Sequence, residues 1–206
     1  MKDKVNYKLY LVTDRDLLKN TDICTAVKQA IQGGVTLVQL REKELSSLEF
    51  YNTALKVKKV TDKYNIPLII NDRLDIALAV DAAGVHVGQS DIPAAIARKL
   101  IGPDKILGVS TATVEESIEA EKNGADYIGA GAVFPTSTKL DARAVTVEML
   151  KSIKKNIKIP VVAIGGISEN NVQSLRGADI DGVAVISAIL GKKNIKEASK
   201  NLLKLI

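Results

Sequence analysis

Cysteine is nearly missing from this chain of 206 residues. Cys24 stands alone, which excludes an internal disulfide and leaves no cysteine cluster for zinc. Aromatic residues make up 3%, tryptophan is absent and there is no low-complexity basic tail. A nucleic-acid partner is therefore not expected. No apolar run approaches the length of a bilayer span, so no membrane partner is expected either. The start, Met1-Lys2-Asp3-Lys4, leads into Leu9-Tyr10-Leu11-Val12 and not into a long apolar signal region, which points to a cytoplasmic protein. What remains is an ordinary globular composition, 46% hydrophobic and 26% charged, with a net charge of +5 that suits anionic ligands. The length predicts one domain, residues 1–206, with a substantial core. Oligomeric state is left open.

Apolar strands and amphipathic helices alternate along the whole chain. Tyr7–Thr13 reads as a buried strand, followed by helical spacing at Ile23, Ala26, Val27, Ala30 and Ile31 that stops at Gly33-Gly34. Ser46 and Glu49 form a capping box for a helix running to about Tyr64, and Thr113 with Glu116 forms a second. Further strands are predicted at Pro67–Ile70, Gly84–Gly88, Lys105–Val109, Tyr127–Val133, Pro160–Ile164 and Gly182–Ile186. Helices are predicted through Ile76–Val80, Pro93–Leu100, Val147–Lys155, after Ser168 as N-cap, and over Ile195–Leu205. Eight strands and about eight helices result.

One strand breaks the apolar pattern. In Val38-Gln39-Leu40-Arg41-Glu42-Lys43, alternation puts Val38 and Leu40 on one face and Gln39, Arg41 and Lys43 on the other. Its polar face either meets water or forms part of a site. Apolar strands alternating with helices belong to a parallel sheet covered on both faces, and eight such units predict a single-domain α/β fold, the (β/α)8 TIM barrel. An open doubly wound sheet is the competing architecture, weakened because no G-x-G-x-x-G follows the first strand. A short junction also recurs, as Ala82-Ala83-Gly84-Val85, Gly124-Ala125-Asp126-Tyr127 and Gly177-Ala178-Asp179.

A barrel confines chemistry to the rim formed by the loops after its strands. That rim collects Gln39, Arg41, Lys43, Asn71, Asp72, Asp91, Ser110, Thr136, Thr138, Lys139, Gly165, Gly166 and Ser187. Asp72 and Asp91, from neighbouring units, can share a hard cation such as Mg²⁺, which takes few carboxylates and leaves positions for phosphate oxygens. Taken alone, each reads first as a helix N-cap, since Asp91 precedes Ile92-Pro93 and Asp72 lies just before a helix. Arg41, Lys43 and Lys139 bring positive charge beside them. Gly165-Gly166 and Ile186-Ser187 offer a second anion pocket, or an ordinary tight turn. His86, the one histidine, reads as a packed barrel residue. Lys43 and Lys139 also fit a Schiff-base lysine at a strand end, although neighbouring carboxylates would keep both charged.

Taken together, Gln39–Lys43, Ile70-Asn71-Asp72-Arg73, Gly84–Gln89, Pro135–Lys139 and Ala163–Ile167 resemble thiamine-phosphate synthase, in order from about Tyr10 to Leu190. The resemblance implies joining 4-amino-5-hydroxymethyl-2-methylpyrimidine diphosphate to a thiazole phosphate, two small phosphorylated heterocycles. It implies pyrimidine-diphosphate binding by Gln39, Leu40, Arg41, Glu42, Lys43, Asn71, Ser110 and Lys139. Thiazole-phosphate binding falls to Thr136, Ser137, Thr138, Gly166, Ile186 and Ser187, and Mg²⁺ to Asp72 and Asp91. Arg41, Lys43 and Lys139 would stabilise the departing pyrophosphate, so no general base is required. Ala112 stands where many members carry histidine, which argues against the related thiazole tautomerases. The stretch Gly177–Gly182 looks longer than the usual junction. A non-catalytic binding or regulatory protein of the same fold remains the alternative from a different class.

Overall fold

The computed structural model describes residues 5–18, 21–136 and 143–206. Eight parallel strands close into a barrel in sequence order: β1 Leu9–Val12, β2 Leu37–Leu40, β3 Leu68–Asn71, β4 Gly84–Val87, β5 Ile106–Thr111, β6 Tyr127–Ala130, β7 Val161–Ile164 and β8 Gly182–Val185. Closure is made by β1 pairing with β8, Tyr10 opposite Ala184. Between the strands run α1 Ile23–Gln32, α2 Ser47–Lys63, α3 Leu74–Ala79, α4 Ala94–Ile101, α5 Val114–Lys122 and α6 Val147–Asn156. After β8 come the short α7, Ser187–Leu190, and α8, Ile195–Leu205.

The strands are short and buried on both faces, which is why their sequences read as apolar runs without alternation. One face packs outward against the helices, where Val38, Leu40, Phe50 and Val57 join one continuous cluster. The other fills the barrel with Tyr7, Tyr10, Val12, Leu37, Ile69, Ile106, Tyr127, Val162 and Ala184. Val38 and Leu40 thus face away from Gln39, as the alternation in β2 requires.

Helix starts follow the capping residues. Ser46 accepts from Glu49 N–H while the Glu49 carboxylate accepts from Ser46 N–H, the reciprocal box that opens α2. At α5 Thr113 accepts from Glu116 N–H, and the Glu116 carboxylate reaches back to Ala112 N–H at 2.8 Å. Ser168 does not cap a helix. Its carbonyl accepts from Asn171 and Val172 in a turn, and the seventh unit has only the 3-10 segment Val172–Leu175 before β8. Helical content shifts instead to the eighth unit, where α7 follows β8 directly.

The repeated junction is a repeated geometry at the N-terminal ends of the strands. Ala83 N–H donates to Leu68 O, Asp126 N–H to Leu107 O and Asp181 N–H to Val161 O. Asp126 Oδ2 also accepts from Leu107 N–H and from Arg98, and Asp181 Oδ2 from Val161 N–H and Lys154. The third copy therefore aligns on Asp181. Asp179-Ile180 is the extra length, accommodated by Asp179 at φ 55° on the rim opposite the site.

Candidate active site

The C-terminal ends of the strands enclose a cavity of about 680 Å³. Gln39, Arg41, Lys43, Asn71, Asp72, Asp91, Ser110, Thr136, Gly166, Ile186 and Ser187 all line it, drawn from seven strand ends. Leu40 does not. Its side chain is packed in the helix-facing core, as the strand alternation dictates. Glu42 also turns away, holding Arg15 through Nη2 at 2.7 Å and Nε at 3.0 Å in an adjoining depression. Ser137, Thr138 and Lys139 lie outside the described residues, as do Met1–Lys4.

The ends of β1 and β2 are fastened together below the cation cluster. Thr13, fully buried, donates its N–H to Gln39 O, and its hydroxyl accepts from Arg41 N–H at 3.0 Å. Arg41 Nη1 stands 3.6 Å from Asp14 Oδ2, and Lys43 Nζ 2.8 Å from Asp72 Oδ2.

Neither Asp72 nor Asp91 caps a helix. The positions preceding α3 and α4 are Arg73 and Pro93, without side-chain capping bonds. Asp91 Oδ2 instead accepts from Gly88 N–H at 2.7 Å within its own loop. Asp72 adopts φ 60°, and of the four described non-glycine residues with positive φ it alone lies on this rim. Such a conformation costs on the order of 1 kcal/mol and persists where the surroundings impose it. Asp72 N–H is tied to His86 O at 2.8 Å, which holds the carboxylate at the mouth of the cavity. Burial pushes the Asp91 carboxyl above its ordinary range; the Gly88 N–H opposes this and the adjacent Asp72 reinforces it. Two carboxylates forced together in this way are eased by a cation between them.

Gly165 and Gly166, at φ 101° and 63°, form the turn after β7. A Cβ on Gly166 would strike the carbonyls of Phe134 and Pro135, and one on Gly165 would strike Ala132. These glycines are therefore set first by the loop after β6, which docks on them through Val133 N–H to Ile164 O and Phe134 N–H to Gly165 O. Gly166 nevertheless lines the cavity beside Ser187, the first residue of α7, whose opening N–H groups have no partner within the helix.

Two features of the site escape a reading of the sequence. Arg143 lines the cavity and donates to Glu116 Oε2 at 2.6 Å, holding that carboxyl below its ordinary range with help from Ala112 N–H. The Thr113-x-x-Glu116 pattern marks Glu116 only as a capping residue. The second feature is a polar chain through the barrel. Gln39 Nε2 donates to Tyr10 OH at 2.8 Å, and Tyr10 OH meets Tyr127 OH at 2.8 Å. Tyr127 OH meets His86 Nδ1 at 2.8 Å, and His86 Nε2 meets Ser110 Oγ at 2.9 Å. His86 is a packed barrel residue, as its place in β4 predicts, but it also backs a cavity residue. Gly108 makes this possible, since a Cβ there would collide with both Tyr127 and His86. Burial drives the Tyr10 and Tyr127 phenols well above their ordinary range, so both stay protonated.

Residues 9–189 match the family model described as thiamine monophosphate synthase. A thiamine-phosphate synthase of Alkaliphilus oremlandii is 65% identical over 96% of this chain and 95% of its own. One from Clostridium beijerinckii is 61% identical over 98% of this chain and 97% of its own. The solved thiamine phosphate pyrophosphorylase of Pyrococcus furiosus superposes with a TM-score of 0.90 at 42% identity, covering 98% of this chain and 96% of that one. On sequence and fold, the chain belongs to the thiamine monophosphate synthase family.

Proposed function

We infer that this protein is a thiamine-phosphate synthase, a transferase that joins 4-amino-5-hydroxymethyl-2-methylpyrimidine diphosphate to a thiazole phosphate and releases pyrophosphate. The observation that carries the reading is the rim itself. Asp72 and Asp91 stand together at the mouth of a cavity of about 680 Å³, with Lys43 paired to Asp72 and Arg41 lining the same cavity. A binder without catalytic activity, or a thiazole tautomerase, finds no support among the relatives, and Ala112 supplies no acid or base. A cytoplasmic setting is in keeping with the reaction, and no helix among the described residues is long and apolar enough to cross a membrane.

The donor set at the rim suits Mg²⁺: hard carboxylate oxygens, a mutual repulsion that a cation relieves, and open space for diphosphate oxygens. Asp72 and Asp91 would hold the ion, which when bound supplies positive charge to the diphosphate. Arg41 and Lys43 approach the same region and neutralise charge that grows as the bond from the methylene carbon to the diphosphate oxygen breaks. Lys139, outside the described residues, is proposed for the same task from the family resemblance. The electron pair of that bond leaves with pyrophosphate. The electron-rich aminopyrimidine stabilises the cationic carbon, and the thiazole nitrogen closes the new C–N bond with its lone pair. No proton transfer is required at the reacting atoms. Gln39, Asn71 and Ser110 orient the pyrimidine diphosphate. Thr136, Gly166, Ile186 and Ser187 receive the thiazole phosphate, with Ser137 and Thr138 beside Thr136 in sequence. Proximity then does much of the remaining work.

The direct test is incubation of the purified protein with both substrates and Mg²⁺, followed by assay for thiamine phosphate. Formation of thiamine phosphate with stoichiometric pyrophosphate is the expected result. Binding of both substrates without turnover would overturn the assignment.

A further inference from the structure

The polar chain through the barrel has a fixed direction, and burial fixes it. An amide nitrogen only donates, so the Tyr10 oxygen accepts from Gln39 Nε2. Tyr10 is 1% exposed, and the remaining polar group it meets is Tyr127 OH. Its proton must go there, because a buried hydroxyl proton left without an acceptor carries an uncompensated desolvation cost. Tyr127, fully buried, then gives its own proton to His86 Nδ1. That nitrogen must be bare to accept it, so the neutral imidazole carries its proton on Nε2 and donates to Ser110 Oγ. The Ser110 hydroxyl proton is thereby turned from His86 toward the cavity that Ser110 lines. At the other end, Gln39 also lines the cavity. With Nε2 committed to Tyr10, the amide leaves Oε1 as its acceptor for a ligand.

We propose that Tyr10, Tyr127 and His86 are positioning residues that polarise the pocket, so that Gln39 offers an acceptor and Ser110 a donor to one heterocycle. The class of ring this selects carries an exocyclic amino group and an unprotonated ring nitrogen. The amino group donates to Gln39 Oε1 and the ring nitrogen accepts from Ser110. A ring of the same shape with an oxo group and a ring N–H mismatches at both points, a carbonyl facing a carbonyl and an N–H facing a hydroxyl proton. Sites built on such paired polar groups reject the mismatched analogue by several orders of magnitude. The proposal rests on the reading that the pyrimidine lies against Gln39 and Ser110, and it adds the residues behind them that set their sense.

The chain has one histidine, so ¹⁵N NMR of histidine-labelled protein reads His86 alone. The expected spectrum at neutral pH is the neutral tautomer protonated on Nε2. A ring protonated on Nδ1 means that the whole chain runs the other way and overturns the proposal. Competition binding then compares the 4-aminopyrimidine diphosphate with its 4-oxo analogue. The native protein should prefer the amino compound by roughly a thousandfold or more, and Tyr127→Phe should cut that preference to roughly tenfold by freeing His86 to adopt either tautomer. Undiminished preference in a folded Tyr127→Phe variant would overturn the role given to the buried chain. If Gln39→Ala and Ser110→Ala leave affinity for both compounds unchanged, the pyrimidine does not lie there. The placement of the pyrimidine, and with it the proposal, then falls whatever the tautomer, while the reaction itself stands or falls on formation of thiamine phosphate.

Discussion

Lys43 Nζ lies 2.8 Å from Asp72 Oδ2, so a cation of the rim already neutralises one of the two carboxylates proposed to hold Mg²⁺. The lysine and the metal therefore compete for Asp72 until substrate arrives and offers Lys43 a diphosphate oxygen in exchange. Substitutions on the two sides of this pair should act in opposite directions on metal affinity. Asp72→Asn and Asp91→Asn should each raise the Mg²⁺ needed for half-maximal activity, and EDTA should abolish turnover. Lys43→Ala should lower that Mg²⁺ requirement several-fold while cutting kcat by about a hundredfold, because the same lysine is lost from the leaving group. A Mg²⁺ titration of activity in the three variants checks this. A requirement that rises in Lys43→Ala would remove the competition.

Asp91 gives a pH dependence of stability with a definite sign. Burial and Asp72 raise its folded carboxyl above the unfolded value. The folded state therefore binds more protons than the unfolded state in the interval between the two values, and stability falls as pH rises through it. Below the ordinary carboxylate range the penalty is absent. In metal-free protein, Asp91→Asn should raise Tm modestly at pH 7 and leave it unchanged near pH 3, since the amide still offers an oxygen to Gly88 N–H. Saturating Mg²⁺ should reverse the order at pH 7. Thermal melts at both pH values, with and without the metal, decide it.

Ser187 is exposed at the start of α7 and lines the same cavity as Gly166, with β1 and β2 between its own strand and the one that ends at Asp72. A negative charge there repels a phosphate bound at that end of the cavity. Ser187→Glu should raise KM for the thiazole phosphate by about tenfold or more, with much less effect on the pyrimidine diphosphate. Initial-rate measurements varying each substrate in turn separate the two, and an equal rise in both KM values would place the thiazole phosphate elsewhere.

The repeated strand–helix alternation made the barrel legible, and β2 made the rim legible. Its polar face, Gln39 with Arg41 and Lys43 beyond it, carries charge into the cavity where the neighbouring strands read as apolar runs. The barrel interior was not legible, for a physical reason. Strands such as Leu9–Val12 and Tyr127–Ala130 are buried on both faces, so hydrophobicity alone does not show that Tyr10 and Tyr127 point inward to meet His86. Leu40 and Glu42 were drawn toward the site by lying within a contiguous motif, whereas strand alternation sends Leu40 outward and Arg15 captures Glu42. The helix expected after Ser168 failed because Ser168 and Asn171 close a turn together, Asn171 Oδ1 accepting from Ser168 N–H. Arg143 acquires its meaning only from Glu116, a residue of another unit, and no local pattern announces such a pairing.

The order of bond breaking and bond making can be tested on Arg41. If pyrophosphate departs ahead of attack, the barrier follows negative charge growing on the leaving group and positive charge growing on the pyrimidine methylene. Arg41 lines the cavity, with its backbone fixed by Thr13 and its guanidinium 3.6 Å from Asp14, an arrangement that limits its freedom to move with the substrate. Its charge should therefore count most at the transition state. Arg41→Ala should lower the single-turnover rate by about a hundredfold, roughly 3 kcal/mol, with a smaller change in substrate affinity. Replacing the pyrimidine methyl by trifluoromethyl withdraws electron density from the cation and should slow the native protein severely. The two effects have separate origins, one on the leaving group and one on the ring, so they should multiply in Arg41→Ala acting on the trifluoromethyl substrate. In a concerted displacement pushed by the thiazole nitrogen, the ring would carry little charge and the substituent would matter little. Single-turnover rates for the four combinations of protein and substrate distinguish the cases. A weak substituent effect together with a near-native Arg41→Ala rate would exclude departure ahead of attack, even with thiamine phosphate as the product.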